Sequence, residues 1–184
     1  MRISAATITT ATVSAFLFAA AAASAQELTD GQIASIVVAA SQADIDAGNL
    51  ARTTTTKPEV TQFAQHMIVD HGGIILSVAD LAPRIRITPQ DNATTQSLKS
   101  GGEATLASLR ALKGDAFDKA YIDNEVAYHQ QLLDAIDKTL MPGVKNERLK
   151  ALLVKMRLSL AAHLEYAKTL QPAMNAADAK GKKS

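Results

Sequence analysis

The amino-acid sequence predicts an all-α protein: a bundle of four long helices, with one additional short or broken helix in a long crossover. Three observations predict it. Apolar residues recur at helical spacing in four segments, Pro and Gly punctuate the intervals, and no segment alternates apolar with polar residues as a half-buried strand would.

The elements follow in order. Leu28-Thr29-Asp30 offers an N-cap for a helix running to about Thr55, and Lys57-Pro58 breaks it. Pro58 suits the first turn of a second helix, which is expected to stop at about Ala82, before Pro83. Residues 84–92, with Thr88-Pro89 and Asp91, read as loop. From Ala93 to Leu112 the pattern is weaker, and Ser100-Gly101-Gly102 predicts a short or interrupted helix. Gly114-Asp115 opens a strong helix from about Ala116 to Leu140, ended by Pro142-Gly143. The last helix is expected from about Asn146 to Leu170, ending near Pro172, with a disordered, solvated tail over residues 175–184. Short connections at Lys57 and at Pro142-Gly143 make two antiparallel hairpins, and the stretch from Pro83 to Gly114 joins them.

Residues 1–25 read as a secretory leader. They begin Met1-Arg2, pass through the apolar stretch Val13-Ser14-Ala15-Phe16-Leu17-Phe18, and end Ala23-Ser24-Ala25, an A-x-A cleavage pattern before Gln26. The apolar stretch falls short of the roughly 20 apolar residues that span a bilayer. Without Cys there is no lipid attachment at the new N-terminus, and no Arg-Arg pair marks a twin-arginine signal. The expectation is an exported periplasmic protein, not a lipoprotein and without a transmembrane anchor after cleavage, whose bundle occupies residues 26–174.

Composition excludes several classes. The 184 residues carry 19 Lys plus Arg against 18 Asp plus Glu, and loss of the leader removes only Arg2, leaving 18 against 18. Such balance gives no electrostatic footprint for nucleic acid. Zero Cys removes disulfides, thiolate metal sites and thiol nucleophiles together. No nucleophile elbow, phosphate-binding Gly loop or helical zinc-protease motif is present.

Placing polar residues on each helix at 100° per residue is informative. The first helix carries the stripe Ile33, Val37, Ala40, Ala47 and Ala51; Asp44 falls about 20° from Ile33, inside it, while Asp46 at about 220° faces water. In the second, with the stripe Val60, Ala64, Met67, Ile74, Ile75 and Val78, His71 lies about 20° from Val60, and His66 at about 240° belongs to the surface. On the helix from Ala116 the apolar arc of Phe117, Tyr121, Ile122, Tyr128, Leu132, Leu133, Ile136 and Leu140 is centred near 80° from Phe117. It encloses Glu125 at about 80° and His129 at about 120°. In the last helix His163 joins Leu149, Leu152, Leu153, Met156, Leu160 and Ala167, whereas Glu165 points away.

Every long helix therefore sends an ionisable group inward: Asp44, His71, Glu125 with His129, and His163. Uncompensated buried charge costs several kcal/mol, so such a set calls for an ion or mutual pairing. Heights agree within each hairpin. Asp44 is 13 residues before Lys57 and His71 is 14 after it; Glu125 is 15 residues from Leu140 and His163 is 17 from Asn146. His129 follows Glu125 at i+4 on one face.

The segment Ala43-Asp44-Ile45-Asp46-Ala47-Gly48-Asn49-Leu50-Ala51, then Pro58-Glu59-Val60 with Phe63-Ala64 and Met67-Ile68-Val69-Asp70-His71, resembles the DUF4142 family of exported helical proteins. Phe117-Asp118-Lys119-Ala120-Tyr121-Ile122 with His129, and Leu149-Lys150-Ala151 with His163-Leu164, are similar to that family's later blocks. The resemblance spans Leu28 to Met174 and implies a ferritin-like four-helix bundle, with no activity attached. Two departures stand out: Asp44 and Asp46 occupy the place of an expected Glu, and Gly72-Gly73 follows His71 inside a helix, at a cost of about 1 kcal/mol per Gly against Ala.

Di-iron bundles of the ferritin type use Glu-x-x-His pairs, which this sequence lacks, and its inward set of two carboxylates and three imidazoles is poor in bridging groups. A single-ion site of His71, His129 and His163 with Glu125 or Asp44 fits better, for one divalent transition metal such as Zn, Cu, Ni or Fe. The leading expectation is thus a binding, storage or stress-protection protein rather than an enzyme. The alternative is an envelope structural or interaction module, with an envelope protein partner, in which Asp44 pairs with His71 and Glu125 with His163. A metal-dependent oxidoreductase is third.

Overall fold

A computed structural model describes residues 27–181, and the expected leader lies outside the described residues. The chain is all-α, with no strand among the described residues. Helix α1 spans Asp30–Thr54, α2 Pro58–Arg84, α3 Ala93–Arg110 and α4 Gly114–Ala135. A π-helical turn, Ile136–Leu140, leads from α4 into the one-turn α5, Met141–Gly143, and α6 spans Glu147–Gly181. No described helix is long and apolar enough to cross a membrane.

Local chemistry sets the boundaries. Thr29 caps α1 in a capping box: its hydroxyl accepts from Gln32 N–H at 3.2 Å, and Gln32 Oε1 accepts from Thr29 N–H at 3.0 Å. Pro58 begins α2 where its missing N–H costs no helical bond. Asn92 caps α3 by accepting from Thr95 N–H at 2.9 Å. Asp30 fixes the turn before α6, its two oxygens accepting from the backbone N–H groups of Lys145 and Asn146 at 2.9 and 3.0 Å.

Three expectations about boundaries are corrected. The pair Gly101-Gly102 does not interrupt α3; the helix runs through it. A Cβ added at Gly102 would stand 3.1 Å from Ala43 Cβ, so the small residues serve the close crossing of α3 over α1. Pro83 lies inside the last turn of α2, which ends one residue later at Arg84. The last helix does not end near Pro172, nor is residue 175 onward a loose tail up to Gly181. Pro172 faces solvent while Met174 is buried, so one lost backbone bond on the wet side is offset by apolar burial on the other. Gly72 and Gly73 stay helical, with open space around both.

Helix α1 packs along α2, and α4 along α6; α2 meets α6 and α1 meets α4, closing the core, while α3 lies outside against α1. Buried apolar residues form two clusters. One holds Ile33, Val37, Val78, Ile136, Leu149 and Leu153 among others; the second holds Phe63, Met67, Phe117, Tyr121, Ala167 and Met174. Between them, at the same height on every long helix, sit the inward polar residues.

Candidate metal centre

The sequence could align the members of each hairpin but not one hairpin with the other. The structure brings all five residues together in that middle layer, where Asp44, His71, Glu125, His129 and His163 are at most 2 % exposed. Each owes its place to helical phase. Asp44 lies between Ala40 and Ala47, His71 between Met67 and Ile74, and Glu125 and His129 between Ile122 and Leu132, so the stripe that builds the core also points these groups into it.

The imidazoles face one another, with ring centroids 5.3–5.6 Å apart for the three pairs of His71, His129 and His163. One nitrogen from each lies within 4.8 Å of the other two. Asp44 Oδ2 stands 3.4 Å from His71 Nε2 and 3.6 Å from His129 Nε2. Asp44, Glu125 and His129 form a further group within the same 4.8 Å limit.

Hydrogen bonds fix which nitrogen carries a proton. His129 Nδ1 lies 2.9 Å from the Glu125 carbonyl oxygen, which can only accept, so Nδ1–H donates and the lone pair resides on Nε2. His163 Nε2 lies 2.9 Å from Asp70 Oδ2 and donates to that carboxylate, which leaves Nδ1 to face the interior chemistry. His129 Nε2, His163 Nδ1, both nitrogens of His71 and all four oxygens of Asp44 and Glu125 are buried without a hydrogen-bond partner.

Burial dominates the titration. It pushes the His71 imidazolium down to about 3, with the neighbouring His163 acting in the same direction. Burial likewise lowers His129 to about 4, against the opposing pull of Asp44. Asp44 is raised by burial, which the nearby His129 and His163 only partly offset, and Glu125 is pushed well above the carboxylate range by burial and by Asp44. His71 and His129 are thus held with free lone pairs at neutral pH, the form in which imidazole binds metals.

Between α1, α3 and α4 lies a cavity of about 280 Å³ whose wall includes Asp44, Glu125, Tyr128, Asn124, Leu98 and Thr105. Tyr128 packs at its edge and donates to the Ala40 carbonyl at 2.9 Å. Tyr121 stacks on Phe117 beneath the site.

One expectation needs correction, and one residue beside the site was not among those expected. Glu125 does not pair with His163; its Oε2 is 3.6 Å from His129 Nδ1, and the carboxylate facing His163 is Asp70. Asp70 was missed altogether. It sits at about 280° on the Val60 scale, at the edge of the stripe, and its signal was the i+4 spacing from His66. His66 is exposed as expected, and Asp46 is half-buried. His66 Nε2 lies 3.1 Å from Asp70 Oδ2, and His66, Asp70 and His163 form the third group of mutually close donor atoms.

A family model described as "Domain of unknown function (DUF4142)" matches residues 16–170. No curated protein and no solved structure matches the chain.

Proposed function

The chain belongs to the DUF4142 family, and from that premise we propose that it is an exported helical-bundle protein that binds a single divalent transition-metal ion for storage or stress protection. His71, His129, His163 and Asp44 hold the ion, and Glu125 supports them from the cavity side. One observation carries the reading: imidazole nitrogens and carboxyl oxygens converge in a buried layer in which none of them has a hydrogen-bond partner. A register-fixing polar network would satisfy its own members, because an unpaired buried polar group costs about 1–3 kcal/mol. A cation among these atoms removes that cost. Three nitrogens and one oxygen suit Zn, Cu(II), Ni or Fe(II). Export rests on the leader pattern of residues 1–25.

The test is elemental analysis of mature protein purified without a His-tag, with thermal melts plus and minus EDTA. About one ion per chain is expected, lost in His71→Ala and His163→Ala. Metal-free protein that ignores EDTA and tolerates loss of the histidines would overturn the proposal and favour the interaction module. A metal-dependent oxidoreductase has the cavity beside Asp44 and Glu125 on its side; Fe(II)-dependent oxygen consumption by the purified chain would support it.

A further inference from the structure

We infer that His66, Asp70 and His163 form an outer ion-docking site that loads the inner one, with His163 serving the two in turn. The inference rests on the metal-binding reading above. Asp70 Oδ2 lies 2.9 Å from His163 Nε2 and 3.1 Å from His66 Nε2, so an N/O/N donor set already converges. Exposure is graded across it: the His66 side chain is 52 % exposed, Asp70 37 % and His163 2 %. The set borders a solvent-open groove lined also by Arg52, Thr61, Gln62 and Gln65. The inner imidazoles of His71 and His129 have no exposed surface, so an ion reaching them must exchange its water for protein donors on the way. The cavity on the opposite side offers carboxyl groups but no imidazole in its wall. His163 is the one residue common to the outer and inner imidazole groups.

A neutral imidazole has one N–H and one lone pair. With an ion docked outside, His163 Nε2 gives its lone pair and the ring proton sits on Nδ1. With the ion inside, Nδ1 gives its lone pair and Nε2–H donates to Asp70. One proton moves between the ring nitrogens, none is gained or lost, and the two sites are alternatives. A single ion per chain follows even though two sites exist.

The test is stopped-flow uptake of Co(II) by the metal-free full chain, followed by the visible ligand-field bands, and release into excess EDTA. His66→Ala removes only an exposed side chain. It should slow uptake and release by the same factor, about tenfold or more, the scale on which partners of metal ligands act. Final stoichiometry and Kd should remain unchanged, which a general structural defect would not produce. Ser97→Phe, which plugs the cavity, should leave the rate as it is. Wild-type rates in His66→Ala, slowing by Ser97→Phe alone, or two Co(II) per chain would overturn the inference while leaving the inner site standing. No Co(II) uptake by the wild type would remove both.

Discussion

Replacing His71 by Leu separates a metal centre from a packing network, because the two assign opposite signs to the same change. His71 is fully buried and neither ring nitrogen has a hydrogen-bond partner; its nearest polar neighbour, Asp44 Oδ2, is 3.4 Å away. Leu has similar volume and leaves no unpaired polar atom. Removing the penalty of an unsatisfied buried group should raise metal-free stability by about 1–3 kcal/mol. In a bundle of this size each kcal/mol moves Tm by about 2–4 °C. His71→Leu in EDTA should therefore melt several degrees above wild type. Metal at about one hundred times its Kd stabilises wild type by about 2.7 kcal/mol and should do nothing for the variant, closing or reversing the gap. Calorimetric melts of both proteins with EDTA and with Zn(II) measure this. A variant that is destabilised by more than about 1 kcal/mol in EDTA, or that keeps a metal-induced shift, refutes the reasoning.

Other predictions are independent of one another. His71→Gln does not titrate, so the stability of wild type relative to it isolates the His71 proton. The folded imidazole is held at about 3 against 6.5 unfolded, so the unfolded chain takes a proton that the fold refuses. Metal-free wild type should lose about 1.4 kcal/mol per pH unit relative to the variant as pH falls from about 6 to about 4; a flat difference in urea titrations would contradict the shift. Gly73→Ala, where a Cβ meets open space within a helix, should add about 0.5–1 kcal/mol, whereas Gly102→Leu should cost about 1–3 kcal/mol by prising α3 from α1. Chemical denaturation decides both, and equal effects would sink the packing argument. Met174→Ala should cost about 2–5 kcal/mol if the helix beyond Pro172 belongs to the core. A neutral result would return that segment to a solvated tail.

Most of the fold and the inner layer was legible because one helical period both builds the core and exposes any polar intruder in it. Asp44, His71, Glu125, His129 and His163 were each conspicuous against Ala, Ile and Leu at the same phase. What the period could not convey was contact between elements. Whether Gly101-Gly102 ends a helix or lets α1 approach depends on Ala43, more than fifty residues away in sequence. Pro83 and Pro172 read as terminators because their N–H loss is local, while the reason the helix continues past Pro172, burial of Met174 in the cluster that holds Phe63 and Phe117, is not. Asp70 escaped notice because it stands at the margin of its stripe and acquires meaning only when α6 brings His163 beside it. The choice of Asp44 over Glu125 as the nearest carboxylate to two imidazole Nε2 atoms likewise required distances.

The polar layer between two apolar clusters also acts as a key for axial alignment. Helices made largely of Ala and Leu can slide by a turn with little change in buried area, since a methyl meets a methyl at either setting. Here a one-turn slide of α6 would push His163 into one apolar cluster and seat Leu160 or Ala167 among the ionisable groups, leaving Asp70, Asp44 and His71 without their neighbour. The same five residues that set the chemistry thereby forbid the alternative settings of the bundle, and one ion locked at that height would hold all four long helices to a common origin.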